Sequence, residues 1–364
     1  MMSALLNYPL QNLEFNVTAD LLPTYLVRLS SESLSSKLSG KHDPLDSPLC
    51  QGATEVAFDE DLTISLDLSQ FEIEPVPIRP WSKPCPVVAV DVSSIGIGET
   101  VNGVLCALRG AVVWRKPSRY MYSRCGPLIF HLTDRTIQSI FQRLGFPSAL
   151  SVSSVPLVTR ALARLRNVLE RWVQRSVCQS FEKSLVLLDG SLTAGTPDNP
   201  AGPVQAMLKT ARDNENAVLA ISKSTKLRFM RSEITRLTDG FFTACLIDVD
   251  YAVRGVFPSC PVQLLGRIFV VKLSQNGFSF RLDIDADITR DCAIESIRRL
   301  VRSDVVDQGY PETLRLAHIL STFTANEVVG IQRFLSRRYG LKAEPPLNLR
   351  RSLFGPYGLS WGAS

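Results

Sequence analysis

The chain is predicted to be an α/β protein in which a mixed β-sheet is flanked by helices, with an N-terminal extension ahead of it. Three observations predict this. Two short apolar runs, Val87-Val88-Ala89-Val90 and Leu185-Val186-Leu187-Leu188, are nearly unbroken, the pattern of strands buried on both faces. After the first run, further strand patterns follow closely, which favours antiparallel hairpins. Beyond residue 156, helical patterns alternate with apolar strands, which favours parallel crossovers.

In chain order, residues 1–85 read as a separate layer or subdomain. Residues 30–47, rich in Ser, Lys, Gly and Asp, read as a mobile loop. Residues 63–68 alternate with period two, as a half-buried strand does. Pro75, Pro77, Pro80, Pro84 and Pro86 make residues 74–86 a stiff extended linker. A main domain spans 86–340. It opens with strands over 87–92, 103–108 and 111–114, with Gly96, Gly98 and Gly110 at turns, and a short strand over 128–131. Residues 133–144 are helical in pattern, with Thr133 as N-cap. The longest helix covers 156–181, then come a strand over 185–188, a Gly/Pro loop over 190–202, a helix over 204–213 and a strand over 217–221. Strands over 268–273 and 278–284 flank Gln275-Asn276-Gly277, a hairpin signal. Helices over 288–301, 311–322 and 325–339 close the domain, and a basic, Pro-rich tail covers 341–364. A meander of strands followed by parallel strands joined through helices resembles the ribonuclease H-like fold.

Composition narrows the chemistry. The 364 residues suffice for a sizeable core, and a net charge of +5 permits a nucleic-acid partner without requiring one. Eight cysteines, none in a CxxC pair, and three histidines exclude zinc spacing and fit a reducing compartment. The N-terminus lacks a basic, then apolar leader, and no window approaches the roughly 20 apolar residues of a membrane span. A cytoplasmic protein is expected.

Both buried runs end in aspartate followed by small residues: Asp91-Val92-Ser93-Ser94 and Asp189-Gly190-Ser191-Leu192. Alone, either aspartate reads equally as a turn former. Together, at the ends of strands in one sheet, they form a hard anionic site suited to Mg²⁺ or Mn²⁺. Glu170 lies at the border of the apolar face of the long helix, where a solvated surface role is the simpler reading; a third carboxylate near the pair raises it. Arg160, Arg164, Arg171 and Arg175 share the other border, either a solvated stripe or a phosphate-tracking ridge. Lys223 ends another buried strand, to meet a phosphate or to reach solvent. Tyr310-Pro311 leads into a helix bearing His318; an isolated histidine on an apolar helix is more often a core group.

Taken in order, these pieces resemble the NurA nuclease family of archaea and some bacteria. The matching segments are the strand with Asp91, the helix with Glu170, Leu187-Leu188-Asp189-Gly190-Ser191-Leu192, Ala220-Ile221-Ser222-Lys223, Phe269-Val270-Val271-Lys272-Leu273, and Tyr310-Pro311 followed by Ala317-His318. The resemblance implies a ribonuclease H-like core and Mn²⁺-dependent cleavage of DNA, with 5′→3′ exonuclease and single-strand endonuclease activity. It also implies a homodimer working with a HerA-type hexameric ATPase in DNA end resection. By motif match the active-site positions fall on Asp91, Glu170, Asp189, Tyr310 and His318, with Glu182 as the alternative helix carboxylate. Many relatives carry glycine where this chain has Val92-Ser93-Ser94.

On that reading Asp91, Glu170, Asp189 and His318 hold Mn²⁺, or Mg²⁺ in its place, while Tyr310 orients the phosphate or the attacking water. The four arginines and Lys223 hold the DNA backbone without reading bases. Two other classes stay open. The aspartate-serine turns loosely resemble the phosphate loops of actin-like ATPases and sugar kinases, and a non-catalytic DNA-end adaptor would keep the fold without cleavage.

Overall fold

The computed structural model describes residues 21–35, 64–66, 74–116, 119–146, 157–196, 198–229, 232–256 and 262–343. Its elements run α1 (Thr24–Leu34), β1 (Ile64–Leu66), β2 (Val76–Pro77), β3 (Val87–Thr100), β4 (Gly103–Lys116), β5 (Arg119–Leu132), α2 (Asp134–Leu144), α3 (Leu157–Ser180), β6 (Leu185–Asp189), β7 (Thr193–Ala194), α4 (Ala201–Asp213), β8 (Ala217–Ser222), β9 (Leu227–Phe229) and β10 (Ser232–Glu233). They continue with β11 (Cys245–Asp248), α5 (Asp250–Val256), β12 (Gln263–Leu264), β13 (Gly266–Lys272), β14 (Ser279–Asp285), α6 (Arg290–Ser303), β15 (Val306–Asp307), β16 (Tyr310–Pro311), α7 (Glu312–Ser321) and α8 (Ala325–Tyr339).

Nine strands form one sheet in the order β2-β11-β13-β14-β8-β6-β3-β4-β5. Strands β3, β4 and β5 are an antiparallel meander. Strand β6 runs parallel to β3, and β8 parallel to β6. A meander whose first strand leads into two parallel strands is the ribonuclease H-like topology. Antiparallel β14, β13 and β11 extend it on the far side.

The pleat sorts the strand residues into two layers. Val88 and Val90, with Val186 and Leu188, face a core built with α1, α2, α3 and α4. Val87 and Ala89, with Leu185 and Leu187, face the opposite core, under α6 and α7. Continuing the same alternation by one step puts Asp91 and Asp189 on the α7 side. Two separate runs of period two thereby deliver two carboxylates to one face.

The structure corrects several boundaries. The expected strands over 103–108 and 111–114 are one strand, because the chain absorbs an irregularity between Leu108 and Gly110 instead of turning. Gly96 and Gly98 likewise lie inside β3, on either side of a register shift. The short strand at 128–131 is the end of a 14-residue one. Residues 30–34, read as loop, complete α1, whose Leu26 and Leu29 are fully buried and whose Ser30 hydroxyl donates to the Ile129 carbonyl at 2.6 Å. Within the expected linker, Val76 and Pro77 pair with β11, and Ile78 is buried beside them. Proline is compatible with this position because the pair is an edge of the sheet. Thr133 does cap α2, accepting from the Thr136 amide. The Ser/Lys/Gly-rich stretch beyond residue 35 and the tail beyond 343 lie outside the described residues.

Candidate metal centre

Asp91, Asp189 and His318 each offer one ligand atom, and these atoms lie within 4.8 Å of one another. The strands supply the carboxylates and α7 the imidazole. Helix α7 starts directly after β16, with Pro311 as N-cap, and packs its buried Thr313, Leu314, Ala317 and Ser321 onto the sheet. One turn separates Leu314 from Ala317 and His318, so a helix anchored by its apolar stripe holds the histidine at the stripe's edge. His318 is exposed there, not a core group as its apolar neighbours allowed.

Asp91 is 9 % exposed and held on one side only. Its Oδ2 accepts from Ser321 Oγ at 2.5 Å and lies 3.1 Å from His318 Nδ1. A carboxylate is an acceptor only, so Nδ1 is the donor in this contact. Ser93 Oγ lies 2.8 Å from Ser321 Oγ. No hydrogen bond reaches Asp91 Oδ1 among the described residues. Asp189 is bound through Oδ2 to Lys223 Nζ at 2.7 Å.

Two further groups border the pair. Tyr310 is buried, its ring 5.4 Å from that of Phe280, with Lys223 Nζ 5.5 Å from its centroid. Its hydroxyl finds no partner among the described residues. Burial raises the phenol's pKa, and the charges of Asp189 and Asp91 raise it further, so the hydroxyl stays protonated. An unpaired, protonated donor thus stands beside the two carboxylates. Glu170 comes from α3 on the other layer and accepts from Gln174 Nε2 at 2.9 Å. Burial raises its pKa, Arg171 and Arg166 oppose that, and Asp91 and Asp189 add to it, so Glu170 is close enough to feel both aspartates. Glu182 is excluded: it is exposed, past the end of α3, at the start of β6, whereas Asp189 ends that strand.

The arginine ridge is the main correction. Arg164 is 1 % exposed, ion-paired with Asp198, and its guanidinium stacks 4.4 Å from the Phe141 ring centroid. Arg160 also pairs with Asp198, at 3.3 Å. Arg171 donates to Gln174 at 2.7 Å and to Asn199 at 3.2 Å. These side chains clamp the loop between β7 and α4 onto α3. Arg175 is partly buried, with its Nε enclosed and unbonded. None of the four is the solvent-facing cation that a phosphate track requires. Amphipathic spacing alone does not separate a solvated stripe from one covered by a loop.

Sequence reasoning missed Ser321 and Ser93. Both carried a signal. Ser93 is two residues past Asp91, on the same strand face, and Ser321 is three past His318, on the same helix face.

The fold and site together define a ribonuclease H-like domain with an acidic and histidine cluster where the parallel pairing of β3 with β6 ends. Among solved structures, the chain is similar to the NurA nuclease of Sulfolobus solfataricus, at 16 % identity and a TM-score of 0.47, over 73 % of this chain and 88 % of that one. It is similar to a second NurA at 8 % identity and a TM-score of 0.45, over 72 % and 90 %. An endonuclease V from Bacillus subtilis aligns at 10 % identity and a TM-score of 0.32, over 74 % and 89 %. No protein-family profile and no curated protein matches the chain. No described helix is long and apolar enough to cross a membrane.

Proposed function

We propose that the chain is a metal-dependent deoxyribonuclease, a phosphodiester hydrolase. The observation that carries this reading is the meeting of Asp91, Asp189 and His318 within 4.8 Å at one sheet edge, beside the unsatisfied Tyr310 hydroxyl. Two carboxylates and an imidazole suit Mn²⁺, with Mg²⁺ a poorer match for the nitrogen. Asp91, Asp189 and His318 would hold the ion, and Glu170, outside that group of three, is the further carboxylate that would join them. A divalent cation bound there supplies Lewis acidity and activates water for attack on phosphorus.

The protein groups divide the remaining work. Ser321 fixes Asp91 through Oδ2, with Oδ1 free of hydrogen bonds among the described residues. Tyr310 donates its hydroxyl proton to a non-bridging phosphate oxygen, a role that its raised pKa suits. Lys223, paired with Asp189 at 2.7 Å, would supply positive charge to a phosphate oxygen beside it. No residue of the cluster reads a base, which suits sequence-independent cleavage. The finer reading, from the sequence resemblance, is 5′→3′ exonuclease and single-strand endonuclease action in DNA end resection. Its protein partners are a second copy of the chain and a HerA-type translocase.

The test is cleavage of linear DNA across Mn²⁺, Mg²⁺ and chelator, with and without ATP. Products with Mn²⁺ and none in chelator are expected. ATP hydrolysis without DNA cleavage would overturn the reading in favour of a phosphotransferase, and DNA binding with no product under any condition in favour of an adaptor.

A further inference from the structure

Two phenylalanines stand in water on the sheet edge that carries the metal centre. Phe242 is 73 % exposed and Phe278 is 66 % exposed. Strand register puts them on that edge. Asp189 pairs with Ile221 near the end of β8, and Ile221 pairs with Leu282 in the middle of β14, four residues after Phe278. Ser279, the first residue of β14, pairs with Lys272, the last of β13, and Lys272 pairs with Cys245, the first of β11. Phe278 immediately precedes β14, and Phe242 lies shortly before β11. At the usual strand spacing, β14 is on the order of 10 Å from β6.

The two rings are carried by backbone that is tied together and tied to the site. The Asn276 amide donates to the Phe242 carbonyl at 3.0 Å, and the Phe278 amide donates to the Gln308 carbonyl at 2.9 Å. Gln308 and Gly309 form the turn that leads into Tyr310. The two turns meet so closely that glycine is required on both sides. A Cβ on Gly277 would sit 2.7 Å from the Gly309 amide nitrogen, and one on Gly309, where φ is +87°, would sit 2.4 Å from the Phe278 carbonyl oxygen. Phe278 is therefore an exposed ring on a fixed backbone, two residues from Phe280, which packs on Tyr310. Positive charge follows the same edge, with Lys223 and Lys226 after β8, Lys272 at the end of β13, and Arg236 on the 3-10 turn Ile234–Thr238 that precedes Phe241 and Phe242, against Asp239 and Asp307.

We propose that Phe278 and Phe242 form a stacking ledge for unpaired bases of the strand whose phosphodiester lies at the metal centre. The proposal rests on the nuclease reading and narrows its substrate to a single strand or a frayed end. Exposed rings in a cationic rim accept any base, since every base has a π-face, and a base stacked between its neighbours inside a duplex does not offer it. Carried past Tyr310, the strand meets Phe278 first and Phe242 second.

The experiment measures anisotropy of a labelled oligothymidylate and of a labelled blunt hairpin duplex, both in chelator so that nothing is cut. Phe278→Ala is expected to weaken oligothymidylate binding by about 10- to 100-fold and Phe242→Ala by less, with duplex binding unchanged. Phe278→Trp is expected to retain affinity and to show indole fluorescence quenched on binding, whereas Phe278→Leu, apolar but without a ring, behaves as Phe278→Ala. Unchanged oligothymidylate affinity in both alanine variants, or equal loss on single strand and duplex, overturns the ledge. Because binding is read without metal, absence of cleavage by the wild type would sink the nuclease reading and leave this outcome separately legible.

Discussion

Two groups of aspartates on the same sheet are treated in opposite ways. Asp283 and Asp285, on β14, are saturated. Arg281 grips both oxygens of Asp283 at 2.7 Å, and the Leu192 amide adds a third bond at 3.0 Å. Arg212 donates to Asp285 at 2.6 Å and the Asp287 amide at 3.1 Å. Asp91 and Asp189 have one engaged oxygen each, and their partners are hydroxyl, imidazole and a mobile ammonium. The difference teaches how to tell a structural carboxylate from a ligand. Buried charge must be compensated, and a planar guanidinium does so permanently, whereas the open pair keeps ligand atoms within 4.8 Å of one another and without a guanidinium partner among the described residues. The saturated group also serves the open one. Asp283 holds the Leu192 amide, and so pins the turn directly after Asp189-Gly190-Ser191.

The comparison breaks most visibly if the wrong group proves essential for catalysis. Asp91→Ala and Asp189→Ala are each expected to abolish metal-dependent DNA cleavage, with thermal melts near that of wild type. Removing an open carboxylate leaves no buried cation stranded. If both variants cut as wild type does, the assignment of the site fails. Asp283→Ala is expected to act first on stability. It strands the buried Arg281 and should cost about 3–5 kcal/mol of stability, read by urea unfolding. A fully stable Asp283→Ala protein would show that saturation by arginine is not what holds β14.

How much of this was legible follows from the same contrast. The Val87-Val88-Ala89-Val90-Asp91 and Leu185-Val186-Leu187-Leu188-Asp189 runs encode both the buried strands and the common face of the aspartates, because strand period is a local property. Thr133 and the Asn276-Gly277 turn were legible for similar local reasons. What a side chain meets across the fold was not. Arg164 occupies a regular place on the helix wheel, yet Asp198, Phe141 and Phe146 enclose it, and all come from other elements. Strand length was misread at Gly96, Gly98 and Gly110 because glycine marks a bulge as readily as a turn.

Ser321 sharpens the comparison within the open group. Ser321→Ala removes the donor that fixes Asp91 Oδ2 and leaves the ligands themselves in place. Outer-shell losses of this kind weaken metal affinity about 10- to 100-fold, so Mn²⁺ binding by calorimetry should weaken by that factor. Cleavage should recover as Mn²⁺ is raised, and Ser321→Thr should restore affinity. Loss of cleavage at saturating Mn²⁺ would instead make the hydroxyl part of the chemical step.

The smallest effect tests an arginine-held carboxylate that is only partly buried. Glu327 caps α8, accepting from the Thr324 amide at 2.9 Å and, through its other oxygen, from Arg109 and Arg124 at 2.9 Å each. Burial works against its charge, but the bonds from Arg109, the Thr324 amide and Arg124 outweigh it and bring the carboxyl down to about 2. A depressed pKa contributes stability above the unfolded-state value near 4.5, and that stability is lost as pH falls from there toward 2. The side chain is 33 % exposed, so solvent screening limits the contribution to about 1 kcal/mol or less. Glu327→Gln should therefore melt slightly below wild type at pH 7, and the two curves should converge as the pH approaches 2. A gap that stays constant down to pH 2 would mean that the glutamate acts through cap geometry alone and not through charge, and would place it outside the arginine-saturated class.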